Sequence, residues 1–489
     1  MSPATPPDTG TVCYVPPQRD DQVYTSPPRA RQNPLALVWR DLRTLFSVLD
    51  LVPNLFSPFA TNDPTDELSL SPPNIWYLAT LVFVTILETL LGGLFLVAVA
   101  LLPGWLSTAV FWGMVGLVWA LCAPIQGPMM VESRVGVEEG DEEGVEDGVD
   151  GRKGEKWVFV NGVMVGNRGL ANNCARLSRT FGRAITGIHN PTNGLVWDII
   201  ECIFQRSFAY NTYSIRYTYD YLKHCLTDPT VHKVVLIAHS QGGIIVSMAL
   251  DLLFTNISAE NMAKLEVYTF GSAAAHFNNP MRAIHTTTTS TSTPSPSVSP
   301  PTRGSRSKGV IRYIEHYVNG EDIVPRWGVM YNVRFAKTRY SGKVFIRNGA
   351  TGHMFNQHYL DNIFPLDTRL LPPGCNRPGT PMGFLDQVVS VDECTCRDRE
   401  AYYATAAAAA AEKAGSFESS AVIGAQGGCS EVSGGVISVS TGSGFCVEDP
   451  DDGDEDDDKN DGAGMTVRDL SRLWKYLGGA DPDVDKRGL

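Results

Sequence analysis

Two long apolar stretches dominate the hydropathy pattern. The first runs from Ile75 to Leu102 and is broken by a single charge, Glu88; after Pro103-Gly104 a second continues from Trp105 to about Ile125. Each exceeds the ~20 residues that carry a helix across a bilayer core. The connection permits only a tight turn, so residues 74–125 are expected to form a two-helix transmembrane hairpin with both flanks on one side. A re-entrant hairpin that does not cross fully is the alternative. Upstream, Asn33-Pro34 reads as a helix start, with Asn as N-cap and Pro in the first turn. Leu35, Val38, Trp39, Leu42, Leu45, Phe46, Leu49 and Val52 follow at helical spacing, with Arg40, Arg43, Ser47 and Asp50 on the opposite face. This amphipathic helix, 34–56, is expected to lie in the membrane interface; packing on a soluble domain is the other reading.

From Lys156 onward the pattern changes. Strands are expected at Trp157–Val160, Ala184–Ile188, Lys233–Ala238, Leu265–Phe270, Val310–Val318 and Lys343–Ile346. Helices are expected at Leu170–Phe181, Leu195–Phe204, Tyr213–Leu226, Gln241–Phe254 and Met354–Phe364. Strands alternating with helices predict an α/β domain over 155–365, a mostly parallel sheet with helices on both faces. The remaining segments lack periodicity. Residues 1–33 are polar and Pro-rich and are expected to be disordered, with no signal-peptide core. Residues 126–154 read as an acidic linker that lets the domain stand off the membrane. Residues 286–308 read as a disordered Thr/Ser/Pro insertion. Residues 366–489 read as a low-complexity, acidic, mostly disordered tail with a short helix near Val467–Leu477.

Charge adds orientation. The formal net charge of −13 is concentrated in Glu132–Asp150 and Asp449–Asp461, which argues against nucleic-acid binding. Arg19, Arg29, Arg31, Arg40 and Arg43 precede the first span, and Arg134, Arg152, Lys153 and Lys156 follow the second. The positive-inside rule then places both ends in the cytosol, on an intracellular membrane such as the endoplasmic reticulum, with the α/β domain facing the cytosol. Of ten cysteines only Cys394 and Cys396 lie close together, so neither a metal site nor a cofactor is expected, and the thiols are expected to be reduced. Glu88 within a span is a candidate functional residue; the plainer reading is a protonated carboxyl bonded to the partner helix or placed near an interface.

The chemistry centres on Val234–Ile245, VVLIAHSQGGII. A buried strand runs through a small-x-Ser-x-Gly turn into an apolar helix, the sequence form of a nucleophile elbow. Ala238 and Gly242 supply the small side chains that a sharp turn and a close helix demand. Ser240 is therefore the candidate nucleophile. A serine hydroxyl needs a base to take its proton, and in this arrangement the chain order is Ser, acid, His. Asp322, in a Gly-containing turn after a strand, is the expected acid, with Glu321 the weaker choice. His353, after the last strand, is the expected base, and His358 the alternative. His239 and His316 are expected to be structural. The oxyanion should meet the backbone amide of Gln241 and an amide of the Asn161-Gly162-Val163 turn, with Val163 the expected donor.

The elbow AHSQGG, the loop VNGEDIVPRWG and the segment GHMFNQHYL resemble the lipase and serine-esterase branch of the α/β-hydrolase superfamily. The acid loop is similar to the N-x-x-D-x-V-P stretch of fungal triacylglycerol lipases, and TGIHNPTNGLVWDIIECIFQ is similar to a stretch of fungal membrane-linked hydrolases. The resemblance covers roughly 155–365. It implies an α/β-hydrolase fold preceded by the hairpin, a triad of Ser240, Asp322 and His353, and cleavage of carboxylic esters, with lipid acyl esters and the bilayer as partners. Ala238 stands where Gly is commoner, and no lid is evident. A catalytically inactive scaffold or lipid-binding protein on the same fold is the alternative.

Overall fold

Seven consecutive buried residues, Lys233–His239, form the middle of the sheet (β5). A run apolar on both faces is what a parallel strand covered by helices on each side requires. A computed structural model describes residues 11–17, 32–61, 63, 65–133, 154–282, 308–334, 336, 339–366, 383–390 and 465–483.

Along the chain come β1 (Thr11–Val15), α1 (Pro34–Ser47), a 3-10 segment Leu49–Phe56, α2 (Pro72–Leu101), α3 (Gly104–Cys122) and β2 (Met130–Ser133). They are followed by β3 (Glu155–Val160), α4 (Asn167–Phe181), β4 (Ile185–Ile188), α5 (Leu195–Phe208), α6 (Tyr213–Thr227), β5, α7 (Gln241–Asn256), the short α8 (Ala259–Met262) and β6 (Leu265–Phe270). Then come the two-residue ribbon β7 (Met281–Arg282) and β8 (Lys308–Gly309), β9 (Tyr313–Asn319), α9 (Ile323–Trp327), α10 (Val329–Arg334), β10 (Lys343–Arg347) and β11 (Val388–Ser390). The nine-stranded sheet has the order β11-β1-β10-β9-β6-β5-β3-β4-β2. From β10 to β4 all strands are parallel; β2 joins β4, and β1 joins β10, antiparallel. The result is a mixed α/β sheet with helices. These elements belong to one unit, 1–392 with 466–489; of the second unit, 393–465, only Met465 is described.

Several expectations need correction. Thr11–Val15 lies within the stretch expected to be disordered, yet β1 pairs with β10 and β11, and Val12, Cys13 and Tyr14 are buried. The stretch expected to be an acidic linker contributes β2, and the tail contributes β11. Each strand is three to five residues long and pairs with a partner far along the chain, so no local periodicity announces it. Lys308, placed in the insertion, belongs to β8. Residues 134–153, 283–307 and 391–464 of those segments lie outside the described residues. Cys122, Cys174, Cys202 and Cys225 are buried free thiols, whereas Cys13 is disulfide-bonded, against the expectation of reduced thiols.

The tail also returns to the domain. Val467–Leu470 and Leu473–Gly479 pack at the start of the parallel strands, opposite the end where the βα turns lie. There Arg472 pairs with Glu266 of β6 and with Asp483, and its backbone amide donates to Glu315 of β9. Ser471 donates to Glu315, and Tyr476 donates to Glu266. A guanidinium on the segment thus neutralises carboxylates that the sheet buries.

The hairpin does not stand away from the domain. Leu81, Val84, Cys122 and Ile125 form a cluster against which Tyr77 and Met164 pack. Glu88 bonds not to the partner helix but to the first turn of α5, accepting from Val196 N (3.1 Å) and Trp197 N (3.4 Å). Gly194, at φ 97°, leaves room for that carboxylate: a Cβ there would lie 2.4 Å from Glu88 Oε2. A carboxylate at a helix N-terminus satisfies free amides and the helix dipole together.

His316 illustrates the core. It is fully buried on β9; its Nδ1 accepts from Thr269 Oγ1 (2.7 Å), and its Nε2–H donates to the Ser341 carbonyl (3.0 Å). Burial pushes its pKa down to about 4. An unfolded chain takes up the proton first, so the group's stabilisation is complete above about pH 6.5 and is lost as pH falls towards 4. The loss amounts to about 3 kcal/mol. Urea unfolding at pH 7 and pH 4 should show wild type losing more stability than His316→Gln by about that amount; parallel losses would contradict the assignment.

Candidate active site

Ser240 occupies the turn between β5 and α7 with φ 56° and ψ −123°. A non-glycine residue holds this conformation only when its surroundings enforce it. Ser240 N donates to Phe270 O (3.1 Å), and Ser240 O accepts from Gly243 N (3.0 Å) and Ala273 N (3.1 Å). The small residues are needed as the sequence suggested. A Cβ on Gly242 would lie 2.3 Å from the Val160 carbonyl oxygen, and one on Gly243 would lie 2.2 Å from Ser272 Oγ.

Asp322 follows β9 and caps α9, its Oδ1 accepting from Val324 N (3.0 Å). Its Oδ2 accepts from His353 Nδ1 (2.6 Å) and from the Tyr359 hydroxyl (2.8 Å). The carboxylate is fully buried, so its lone pairs are committed inside the protein. With Nδ1 donating to Asp322, the Nε2 of His353 is left as the basic nitrogen, buried and without a hydrogen-bond partner. The ring lies beside Gly271, the residue after the carbonyl that receives Ser240 N: a Cβ on Gly271 would lie 3.1 Å from His353 Cε1. Glycine's freedom at φ 55° therefore serves both the turn and the ring.

Two neighbouring histidines differ from His353: His358 has both nitrogens bonded, and His239 is bonded through Nε2 while its Nδ1 is buried without a partner. His358 accepts from Met354 N through Nδ1 (3.0 Å) and donates from Nε2 to the Pro58 carbonyl (2.9 Å), so neither nitrogen is free to act as the alternative base. His239 donates to the His353 carbonyl (2.8 Å), its ring 4.6 Å from that of His353. Burial, then the neighbouring His353, hold it well below the ordinary imidazole pKa, hence neutral. Glu321 pairs with Arg326 (3.0 Å) and does not reach the histidine.

On the other side of the serine lies the turn Asn161-Gly162-Val163. A Cβ on Gly162 would lie 2.4 Å from Ser240 Cβ and 2.9 Å from its Oγ, so the backbone here borders the hydroxyl. Among the described residues neither Val163 N nor Gln241 N has a hydrogen-bond partner, leaving two amides beside the serine. A buried amide chain fixes this side: Asn161 Oδ1 accepts from Asn190 N, Asn190 Nδ2 donates to Gln241 Oε1, and Gln241 Nε2 donates to Gln205 Oε1.

Several supporting residues carry no local signal in the sequence. Met164 adopts φ 53°, and its amide donates to Asp198 of α5 (2.9 Å), whose pKa burial raises to about 6. Tyr77 of α2 accepts from Gly166 N (2.7 Å) and donates to Met164 O, clasping the end of the same loop. On the histidine side, Asn54 O and Leu55 O accept from Gly352 N (2.8 Å) and His353 N (3.0 Å). Tyr359 stood within the GHMFNQHYL segment and Asp198 within TGIHNPTNGLVWDIIECIFQ; Tyr77 and Leu55 could be placed only once the fold was known.

No family model matches the sequence, and no curated protein matches it. Among solved structures, the chain is similar to a Trichoderma reesei cutinase in complex with a C11Y4 phosphonate inhibitor, with 21% identity and a TM-score of 0.18. The alignment covers 26% of this chain and 56% of the cutinase, so the chain spans little more than half of that protein's length. It is also similar to the esterase LipW from Mycobacterium marinum, with 12% identity over 48% of this chain and 75% of the esterase, at a TM-score of 0.21. At such scores neither likeness carries an argument about activity; the side-chain geometry carries it.

Proposed function

We propose that this chain is a membrane-anchored serine hydrolase of α/β-hydrolase type that cleaves carboxylic esters, lipid acyl esters above all, through Ser240, His353 and Asp322. One observation carries the reading: the Asp322–His353 bond leaves a buried imidazole nitrogen with no hydrogen-bond partner, Ser240 included, on a ring packed against Gly271, next to the residue whose carbonyl receives the amide of Ser240, itself held at positive φ. In the first half-reaction, His353 Nε2 takes the Ser240 proton as Oγ bonds to the ester carbonyl carbon. The carbonyl π electrons move to oxygen, and the amides of Val163 and Gln241 donate to that oxyanion. Collapse expels the alkoxide, which takes the proton from Nε2 and leaves an acyl-serine. Water repeats the sequence and releases the acid. Asp322 holds the ring in the needed tautomer and offsets the imidazolium charge.

Anchoring rests on α2 and α3, both long and apolar enough to cross a membrane. At 1.5 Å per residue α2 is roughly 45 Å long, against a hydrocarbon core of about 30 Å. The flanking arginines favour a cytosolic catalytic unit, and the disulfide at Cys13 favours an oxidising compartment.

The deciding experiment is labelling of detergent-solubilised full-length protein with a fluorophosphonate. Wild type should be labelled, and Ser240→Ala should lose essentially all of the signal. Equal labelling of the two proteins would overturn the assignment of the nucleophile; no labelling of either would leave a scaffold on the same fold.

A further inference from the structure

α5 belongs to the sheet domain, and its interior face supplies Asp198, Gln205 and Arg206 to the site and its supports. Its outer face is the reverse of what a water-facing helix presents. Every exposed position of α5 is apolar: Trp197, Ile200, Phe204 and Phe208, spaced three or four residues apart and each 37% to 48% exposed. Soluble surfaces place charged and polar residues at such positions.

α1 shares part of this pattern: its buried stripe is Leu37, Asp41 and Thr44, while Leu35 and Trp39 are 70% exposed and Phe46 67%, with Arg43 and Ser47 exposed among them, where a long guanidinium stem can reach past an apolar surface to water. Asp41 faces inward because Arg206 of α5 receives it there (3.1 Å), with the guanidinium stacked 3.7 Å from the Trp327 ring centroid. The buried ion pair thus locks α1 to α5 with the apolar side of each turned out. On its other flank α5 meets α2, through the Glu88 cap and through Trp197, whose ring lies 6.5 Å from Phe111 of α3. α1, α5 and the hairpin therefore present adjoining apolar faces.

We infer that α5, with α1, is a membrane-embedded surface of the catalytic unit, and that its partner is the acyl-chain region of a phospholipid bilayer. The inference rests on the proposed insertion of the hairpin and deepens it: the sheet domain sits in the bilayer's outer layer rather than above it. Continuity with the hairpin favours lipid over a second copy of the chain, since a partner protein on α5 would have to share that face with the lipid around α2 and α3. Glu88 fixes the depth. The hairpin runs on past the Glu88 cap by at most thirteen residues, to Leu101, roughly 20 Å and less than a hydrocarbon core of about 30 Å, and by fewer past Trp197, which lies near Phe111 of α3. With α5 at the surface of the core, the hairpin tip ends inside the bilayer.

The test uses the full-length protein in phosphatidylcholine vesicles containing a phospholipid with a diazirine in its acyl chain. Irradiation followed by mass-spectrometric mapping should place lipid adducts on peptides spanning Trp197–Phe208 and Leu35–Phe46 as well as on the hairpin. Adducts confined to 72–125, or cross-links between two copies through α5 without lipid adducts, would overturn the inference. A fluorophosphonate label read in the same sample reports Ser240 separately, so failure of the surface and failure of the hydrolase reading give different results.

Discussion

Asp322→Asn will lower kcat/KM for a soluble ester about 10⁴-fold while leaving the protein folded. The substitution is chosen because Asp322 has two tasks. Its Oδ1 caps α9 through Val324 N, and an asparagine oxygen can continue to do so. Its Oδ2 receives His353 Nδ1–H, and there an amide NH2 presents a donor to a donor. The ring then settles with Nδ1 unprotonated and its hydrogen on Nε2, the nitrogen meant to accept from Ser240. Loss of activity with an unchanged melting temperature is the expected pair of results. Activity within tenfold of wild type would mean that the carboxylate does not set the tautomer.

The second large effect falls on stability. Arg472→Met should destabilise the unit by about 3–5 kcal/mol, because removing one partner of a buried pair strands the other. Glu266 is 5% exposed and would keep only the hydroxyls of Tyr268 and Tyr476 as donors. The guanidinium also stacks 4.0 Å from the Tyr313 ring centroid, so packing is lost with charge. Arg472→Lys should recover only part of the loss, since an ammonium cannot reach Glu266 and Asp483 in the same fork. Urea unfolding of the three proteins at pH 7 checks both statements, and a methionine variant as stable as wild type would contradict them.

The fold and site were legible to different depths. The hairpin was plain because hydropathy over twenty residues is a sum of local terms. The six parallel strands announced themselves by short apolar runs, and β6 falls on the residues the pattern marked. The turn at Ser240 was readable because its residues are contiguous, and chain order singled out Asp322 and His353, which the fold brings into hydrogen-bond contact. β1, β2 and β11 were not readable, because pairing across hundreds of residues leaves no periodic trace. The burial of Asp41 ran against amphipathicity, and only the partner Arg206 explains it. Glu88 was conspicuous, yet its acceptor role at α5 depended on where a loop over a hundred residues later would end. Tyr77 shows the same limit: nothing in an apolar helix tells that one hydroxyl will bridge two groups of the loop after β3.

The position of β1 has a consequence for how the molecule is made. Thr11–Val15 is synthesised well before the strands on either side of it, β10 and β11, whose partner residues Arg347 and Val388 come far later along the chain. The strand must wait with both edges unpaired while the hairpin and most of the sheet are translated, a state open to off-pathway pairing. Pro16 and Pro17, which follow it directly, cannot extend a ladder and so keep the waiting stretch short. Closure of the sheet around β1 thus waits until β11 has been made, and it joins segments that lie far apart in the chain.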